Sequence, residues 1–388
     1  MRKLKTQQSR EVSLGELLER VSQVRLVLEG CVQDGELERT LPAEAVAALA
    51  KSELFSLKVP RELGGFEALP SVEFHVLAAL AEISSSAAWC TMVGNTGAAL
   101  LGAYLSDEGC AEVFGGSTVP KAAGVAAPTG TATPVDGGHR ISGRWRFASG
   151  IRHSDWLQVN AVAATPEREV VSFAVPTADV TIEDTWHVVG LRGTGSCDFR
   201  LEDYFVPHRR TFVRRPDDPT SRKRGGALFA MPRLSGVTYE HAGIAYGLGR
   251  RALALLQKAT HPETGHPNLS SRDDVLGEIG RLGARLAAAG TWVATLHDGI
   301  LGDLESGAQL DPAVVATTAQ TSACLVTEVA ADICAALFRY SGAQALYVPN
   351  EAERLFRDIN AASQHVAVGN YVYLAQARIP FSRVERTP

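Results

Sequence analysis

The feature that most constrains this chain is a change of texture in its middle. From near Pro120 to about Pro207, apolar and polar residues alternate with a period of two and are broken by turn residues, as in strands with one buried face. On both sides the apolar residues recur at steps of three and four, the period of helices. Asp136-Gly137-Gly138 reads as a hairpin turn leading into His139–Phe147. Leu157–Ala164 and Glu169–Val175 form a strand pair across Pro166-Glu167, and Ser196–Phe205 is a further strand stopped by Pro207. The expectation is therefore a mostly helical α+β protein with an antiparallel, barrel-like β-domain in the middle. At 388 residues the chain is long enough for such a composite. The divisions fall at 1–118 (helical), 119–225 (β) and 226–388 (a C-terminal four-helix bundle).

The flanks carry readable punctuation. Ser13-Leu14-Gly15-Glu16 has the form of a capping box, and Pro42 opens a second helix. Lys58–Phe66, with its proline and glycine pair, is a turn, and one long helix is expected from Ser71 to Leu105. Within it Ser84-Ser85-Ser86-Ala87-Ala88 places small side chains before Trp89, which suits either tight helix packing or a flat ligand. Later helices are expected over Tyr239–Lys258, behind a cap at Ser271-Arg272-Asp273-Asp274, and from Pro312 to Tyr340, closed by Gly342. The last runs from Glu353 to His365, with Leu355, Ile359, Ala362 and Val366 as its inward stripe. Ala361 and Ala362 leave room beside the His365 imidazole. That helix alone fits a ligand-facing histidine or a core histidine bonded to backbone.

Composition narrows the function. A net charge of −5 and no basic face argue against nucleic-acid or anionic-membrane partners. The arginines at 209, 210, 214, 215, 222 and 224, with Lys223, read as a solvated loop. Six cysteines show neither paired nor zinc-type spacing, so buried reduced thiols and no metal site are expected. Arg2, Lys3, Lys5 and Arg10 precede no apolar stretch, and no uninterrupted apolar run is long enough to span a membrane. The expected setting is cytoplasmic.

Two stretches look built to meet a ligand. Trp145-Arg146-Phe147-Ala148-Ser149-Gly150 and Gly190-Leu191-Arg192-Gly193-Thr194-Gly195-Ser196 place small and hydroxyl-bearing residues at strand ends. Such rims hydrogen-bond the heteroatoms of a planar cofactor, though ordinary turns have the same composition. The glycines of the second stretch precede a strand and not a helix, so it is no dinucleotide-binding turn. With no phosphate loop elsewhere, a nicotinamide-dependent step belongs to another protein.

These pieces, in order, resemble the acyl-CoA dehydrogenase superfamily over nearly the whole chain. The matching residues are Val59-Pro60…Gly64-Gly65, Ser149-Gly150, Gly190–Ser196…Leu201-Glu202-Asp203…Val206-Pro207 and Gly342…Glu353-Arg354-Leu355-Phe356-Arg357-Asp358. The resemblance implies flavin held between the β-domain and the bundle, in a homotetramer or dimer. Dehydrogenases of this fold often carry a glutamate base shortly after the Arg-Asp pair. Here Ala361 to Ala367 hold no carboxylate and one histidine.

That departure, with Ser-Ala-Ala-Trp at 86–89 and Ser149-Gly150, resembles the two-component flavin-dependent monooxygenases on the same fold. The branch implies reduced FAD, or FMN, delivered by a separate NAD(P)H-flavin reductase. Reaction with O2 gives a C4a-hydroperoxide that hydroxylates an aromatic or indole-like small molecule. Carried over by position, Ser149 meets the flavin near N5, and His365 acts as a base toward a phenol or indole or as a donor to the peroxide. Phe147, Ser149, Gly150, Arg192, Thr194, Ser196, Arg272 and Gly342 are the expected flavin contacts. Trp89, Asn95 and Trp145 are the expected pocket, Asn95 standing where some relatives place a second histidine. N-oxygenation of an amino group, a dehydrogenase with a relocated base, and a binding protein without catalysis are the alternatives.

Overall fold

The computed structural model describes residues 12–215, 218–232, 235–263 and 265–384. The basic residues Arg2, Lys3, Lys5 and Arg10 lie outside these, as do Pro216 and Asp217 of the charged loop. The chain divides into two units. One comprises the chain up to Ala68, Trp89–His187 and Arg192–Ala230; the other comprises Leu69–Ala88, Val188–Leu191 and the chain from Met231 onward.

The first unit begins with α1 (Leu14–Glu38), started by the expected capping box. Ser13 Oγ accepts from Glu16 N at 3.2 Å, and the Glu16 carboxylate accepts from Ser13 N at 2.8 Å. Leu17, Val21, Val24 and Leu28 form its buried stripe. Then come α2 (Ala43–Lys51), entered through Pro42, and, after the excursion into the other unit, α4 (Ser85–Tyr104, from Trp89 on) and α5 (Asp107–Val113).

The sheet follows. Its strands are β1 (Ala122–Val135), β2 (Gly138–Ala148), β3 (Trp156–Ala163), β4 (Val170–Pro176), β5 (Thr181–Glu183), β6 (Cys197–Pro207) and β7 (Thr211–Phe212). Its order is β5-β6-β2-β1-β3-β4-β7. The hairpin at Asp136–Gly138 joins β1 to β2 as expected, with Gly137 at φ 76.

Two expectations for the sheet are corrected. It is open and not barrel-closed, ending in the short strands β5 and β7, which the alternation did not reveal. It is mixed and not purely antiparallel, because β3 pairs parallel to β1. The reason is the path of the chain: β2 runs back beside one edge of β1, and the segment 149–155 then carries the chain to the other edge. That crossover holds Ser149 and Gly150. Beneath it lies a core of Trp145, Phe173 and Phe199, each at most 1% exposed. Burial of such side chains contributes about 1.5–3 kcal/mol each. Trp145 also fixes its neighbours: a Cβ on Gly130 would lie 2.2 Å from its ring, so only glycine fits there.

The second unit packs α3 (Pro70–Ala81), α6 (Ser235–Ala259), α8 (Asp273–Glu305) and α9 (Pro312–Tyr340) against one another. The short α7 (Pro267–Ser270) leads into α8, while α10 (Glu351–Ala362) and α11 (Val372–Val384) pack on α9. Glycines on α6 permit close approach, since a Cβ on Gly247 would lie 2.2 Å from the Ala78 carbonyl oxygen of α3. By length and composition α9 could cross a membrane, but 67% of its apolar window is buried. It is a core helix.

Three helix expectations are corrected. The stretch Ser71–Leu105 is two helices, because Ser84 Oγ accepts from Ala87 N and starts a new one. The helix expected behind a side-chain cap at 271–274 starts at Asp273, and its N-cap Arg272 supplies no cap bond. The histidine helix ends at Ala362, and α11 follows it. Ser363 Oγ turns back to the Asn360 carbonyl at 2.8 Å, the chain leaves helical geometry, and Val366 is 62% exposed rather than buried.

Candidate active site

In the first unit the site is made by one extra residue. Trp145 pairs with Phe199 and Ala148 with Cys197, so β2 spends three steps where β6 spends two. The bulge puts Phe147 at φ 65, a region that a bulky side chain enters only under local constraint. Strict alternation would bury Phe147 beside Trp145. The bulge turns it out to 58% exposure, with Trp186 edge-on at 6.3 Å and the Arg146 guanidinium over its face at 4.9 Å. Asp198 Oδ1 accepts from Phe147 N at 3.3 Å and holds the turn.

Immediately beyond, four predicted side chains converge. Ser149 Oγ accepts from Trp89 Nε1 at 3.0 Å and lies 2.7 Å from Ser196 Oγ, which lies 2.6 Å from Thr194 Oγ1. All are buried, Thr194 completely. A hydroxyl has one proton and two lone pairs. With one lone pair of Ser149 taken by Trp89 and one valence shared with Ser196, one further valence remains in either proton arrangement. Gly150 N donates to the Thr194 carbonyl at 2.9 Å, tying the two motifs together. Arg192 is turned away, its Nε donating to the Glu36 carbonyl at 3.1 Å.

Other expected residues have structural work. Trp145 is fully buried, stacked on Phe199 at 5.3 Å and donating to the Asn160 carbonyl at 2.7 Å; it is core, not pocket. Asn95 is likewise corrected. Its amide donates to the carbonyls of Leu54 and Thr91 at 2.7 and 2.9 Å, and its oxygen accepts from Lys58 N at 3.2 Å, leaving it spent on backbone. His153, just beyond Gly150, has its Nδ1 buried, and burial pushes its pKa down to about 4.

His365 belongs to the second unit. It is half-buried and extended (φ −72, ψ 137), heading a short 3-10 turn. Its Nδ1 accepts from Ala367 N at 3.2 Å, so the neutral ring carries its proton on Nε2. Burial pushes its pKa down to about 4, below the ordinary histidine range, so the ring is neutral near pH 7. His241 of α6 stacks on it, ring centroids 4.0 Å apart and planes 29° from parallel. His241 carries no local signal, because nothing in the order of residues marks two rings from distant segments as partners.

The carboxylates of α10 are all engaged. Glu353 pairs with Arg357, and Glu351 with Arg251 at 2.7 Å. Asp358, 1% exposed, accepts from Leu191 N at 2.7 Å and from Ser85 Oγ, holding Leu191 at φ 53. Elsewhere in this unit, Arg272 pairs with Asp274 at the exposed start of α8, and exposed Gly342 turns the chain at φ 61 beyond α9.

Comparison with known proteins places this geometry. The acyl-CoA dehydrogenase C-terminal domain family matches residues 239–370. The FADH(2)-dependent resorcinol hydroxylase, oxygenase component, of Rhizobium sp. (strain MTP-10005) is 28% identical over 91% of this chain and 90% of its own length. The indole-3-acetate monooxygenase of Pseudomonas putida is 28% identical over 87% of this chain and 86% of its own. The solved structure of XiaF from Streptomyces sp., in complex with FADH2 and glycerol, superposes with a TM-score of 0.86 at 26% identity, covering 97% of each chain. The chain thus has the acyl-CoA dehydrogenase fold and is similar, along nearly its whole length, to oxygenase components of flavin-dependent monooxygenases.

Proposed function

We propose that this chain is the oxygenase component of a two-component flavin-dependent monooxygenase that hydroxylates an aromatic or indole-like small molecule. The observation that carries the reading is the Trp89–Ser149–Ser196–Thr194 cluster beside the outturned Phe147. A planar, heteroatom-edged ring needs an apolar face and an oriented polar contact, and this rim offers both. The donor set therefore fits a flavin. FAD suits the named relatives, FMN is the alternative, and a separate NAD(P)H-flavin reductase supplies it reduced. Bound reduced flavin contributes the two electrons that activate O2.

The chain's own residues do the rest. Trp89 Nε1–H fixes a lone pair of Ser149, so the remaining Ser149 valence meets the ring edge in one orientation. Gly150, and the buried hydroxyls of Thr194 and Ser196, hold that orientation. His365 donates from Nε2–H, the position left by its bond to Ala367 N. Arg272 and Gly342 remain the candidate contacts for the flavin's phosphate-bearing arm. The engaged carboxylates of α10 support an oxygenase over a dehydrogenase, since none there is left to take a substrate α-proton. A three-part division at 118/119 and 225/226, a homotetramer or dimer, and a cytoplasmic setting complete the reading. Free cysteines, five of six buried, support a reducing environment.

The test mixes the protein with chemically reduced flavin, then with oxygenated buffer containing single aromatic compounds. The expected result is a return of oxidised-flavin absorbance slower than for free flavin, with hydroxylated product from at least one phenol or indole. Flavin bleached anaerobically by an acyl-CoA would instead establish the dehydrogenase. Retention of no flavin in either redox state would leave a binding protein.

A further inference from the structure

The first unit carries a second concave feature besides the hydroxyl rim. Along α2, Ala43, Ala47 and Ala50 recur at steps of four and three and are exposed, with buried Val46 beside them. With Leu41 they floor a cleft of about 450 Å³ that opens to solvent. That volume lies in the range of small-molecule sites. Side chains that end at Cβ make a flat floor, and a flat floor suits a planar ring.

The wall of the cleft is charged. The crossover after β2 supplies Arg152 and His153, and the residue before β1 supplies Lys121. Among the described residues no carboxylate lines it. Lys121 is balanced by Asp155 at 2.8 Å. Arg152 is not: Asp184, which it meets at 2.8 Å, also meets Arg39 at 2.9 Å. Two guanidiniums thus share one carboxylate, and one positive charge is left over. His187, the other titratable neighbour of Asp184, brings no negative charge. His153 adds an unmet valence to the wall, because its Nδ1 is buried with no hydrogen-bond partner among the described residues.

An apolar floor beside a surplus cation is complementary to an apolar body that ends in a single negative charge. A guanidinium matches a carboxylate in plane and charge, so a carboxylate head satisfies it better than a neutral group. We propose that this cleft binds an aromatic carboxylate, with its ring on the α2 stripe and its carboxylate on Arg152. The site is separate from the rim assigned above to flavin and does not depend on that reading.

A fluorine NMR titration of the whole protein tests it without turnover. The probes are 4-(trifluoromethyl)benzoate and its neutral isostere 4-(trifluoromethyl)benzamide. The acid should bind with a Kd on the order of 0.1–1 mM, as suits a ligand of this size. The amide should bind about tenfold more weakly, the size of a lost charge-assisted contact. Arg152→Gln, which leaves Asp184 its bond to Arg39, should weaken the acid about tenfold and leave the amide unchanged. Ala47→Trp fills the floor and should abolish binding of both, with thermal melting as the check on folding; if that variant melts early, Arg152→Gln still decides. Equal affinity for acid and amide overturns the proposal, as does acid binding that neither variant changes. Displacement of the acid by reduced FAD overturns it too, since the cleft would then belong to the flavin site. So does no binding to wild type; a changed sedimentation mass in Ala47→Trp would then identify a second copy of this chain as what covers the stripe.

Discussion

The hydroxyl rim and the histidine pair solve the same problem, holding a polar atom in one orientation inside a fold, by opposite means. The rim is built from local sequence: a bulge in β2, a strand end, and a second motif brought alongside by β2–β6 register. Its polar atoms bond one another, so the cluster is rigid and each proton has a neighbour. The histidine pair is built from α6 and the segment after α10, each ring bonded to its own backbone. It makes no in-plane bond between rings, only a stack. The rim keeps one Ser149 valence, held in a fixed orientation, for a cofactor.

The largest effect that separates the two regions should come from His365→Asn. Asparagine retains an acceptor for Ala367 N but loses the Nε2–H donor, so hydroxylation should fall about 100-fold while reduced-flavin affinity stays within twofold. Single-turnover product yield and flavin titration check it. A matched loss of affinity would make His365 part of the binding rim. Ser149→Ala should show the converse, weakening flavin binding by about tenfold, roughly one hydrogen bond to a bound ring.

Next in size is Asp358→Ala. It removes the buried acceptor of Leu191 N and Ser85 Oγ, and should cost about 2–3 kcal/mol in denaturant unfolding. Phenol turnover at low denaturant should change far less.

The pH dependence of stability divides between the regions. His153 in the first unit and His365 in the second both have folded pKa values near 4, below the unfolded value of 6.5. Between these values the unfolded chain binds more protons, so stability should fall as pH drops from about 6.5 to 4. Thermal melts should show it, and His365→Asn should flatten part of the slope. The smallest expected effect is that of Arg272→Ala, whose ion pair with Asp274 is exposed. Melting should not change, and reduced-flavin affinity should weaken only a few-fold.

The contrast also explains what could be read from the residues in order. The hairpin at Gly137, the capping box at Ser13, the helix started by Pro312 and the strand stopped by Pro207 are local signals, and each stands where expected. The Ser149–Gly150 and Thr194–Ser196 rims were visible as motifs. The bulge at Phe147 was not, because it depends on register against β6, and alternation alone buries that ring. Asn95 was placed in the pocket by its position in the resemblance and Trp145 by its aromatic ring, and neither signal shows a side chain's partners. His241 had no signal, since a stack between distant segments leaves none. The parallel β1–β3 pairing was hidden for the same reason: neighbours in a sheet need not be neighbours in sequence.

Oxygen-isotope labelling tests the central claim most directly. The protein, reduced FAD and a phenol are mixed under 18O2 in ordinary water, and the product is examined by mass spectrometry. The account predicts one 18O atom in the new hydroxyl group and its loss in Ser149→Ala and His365→Asn in proportion to their rates. A product carrying oxygen from water, or dehydrogenated with no new oxygen, would contradict it.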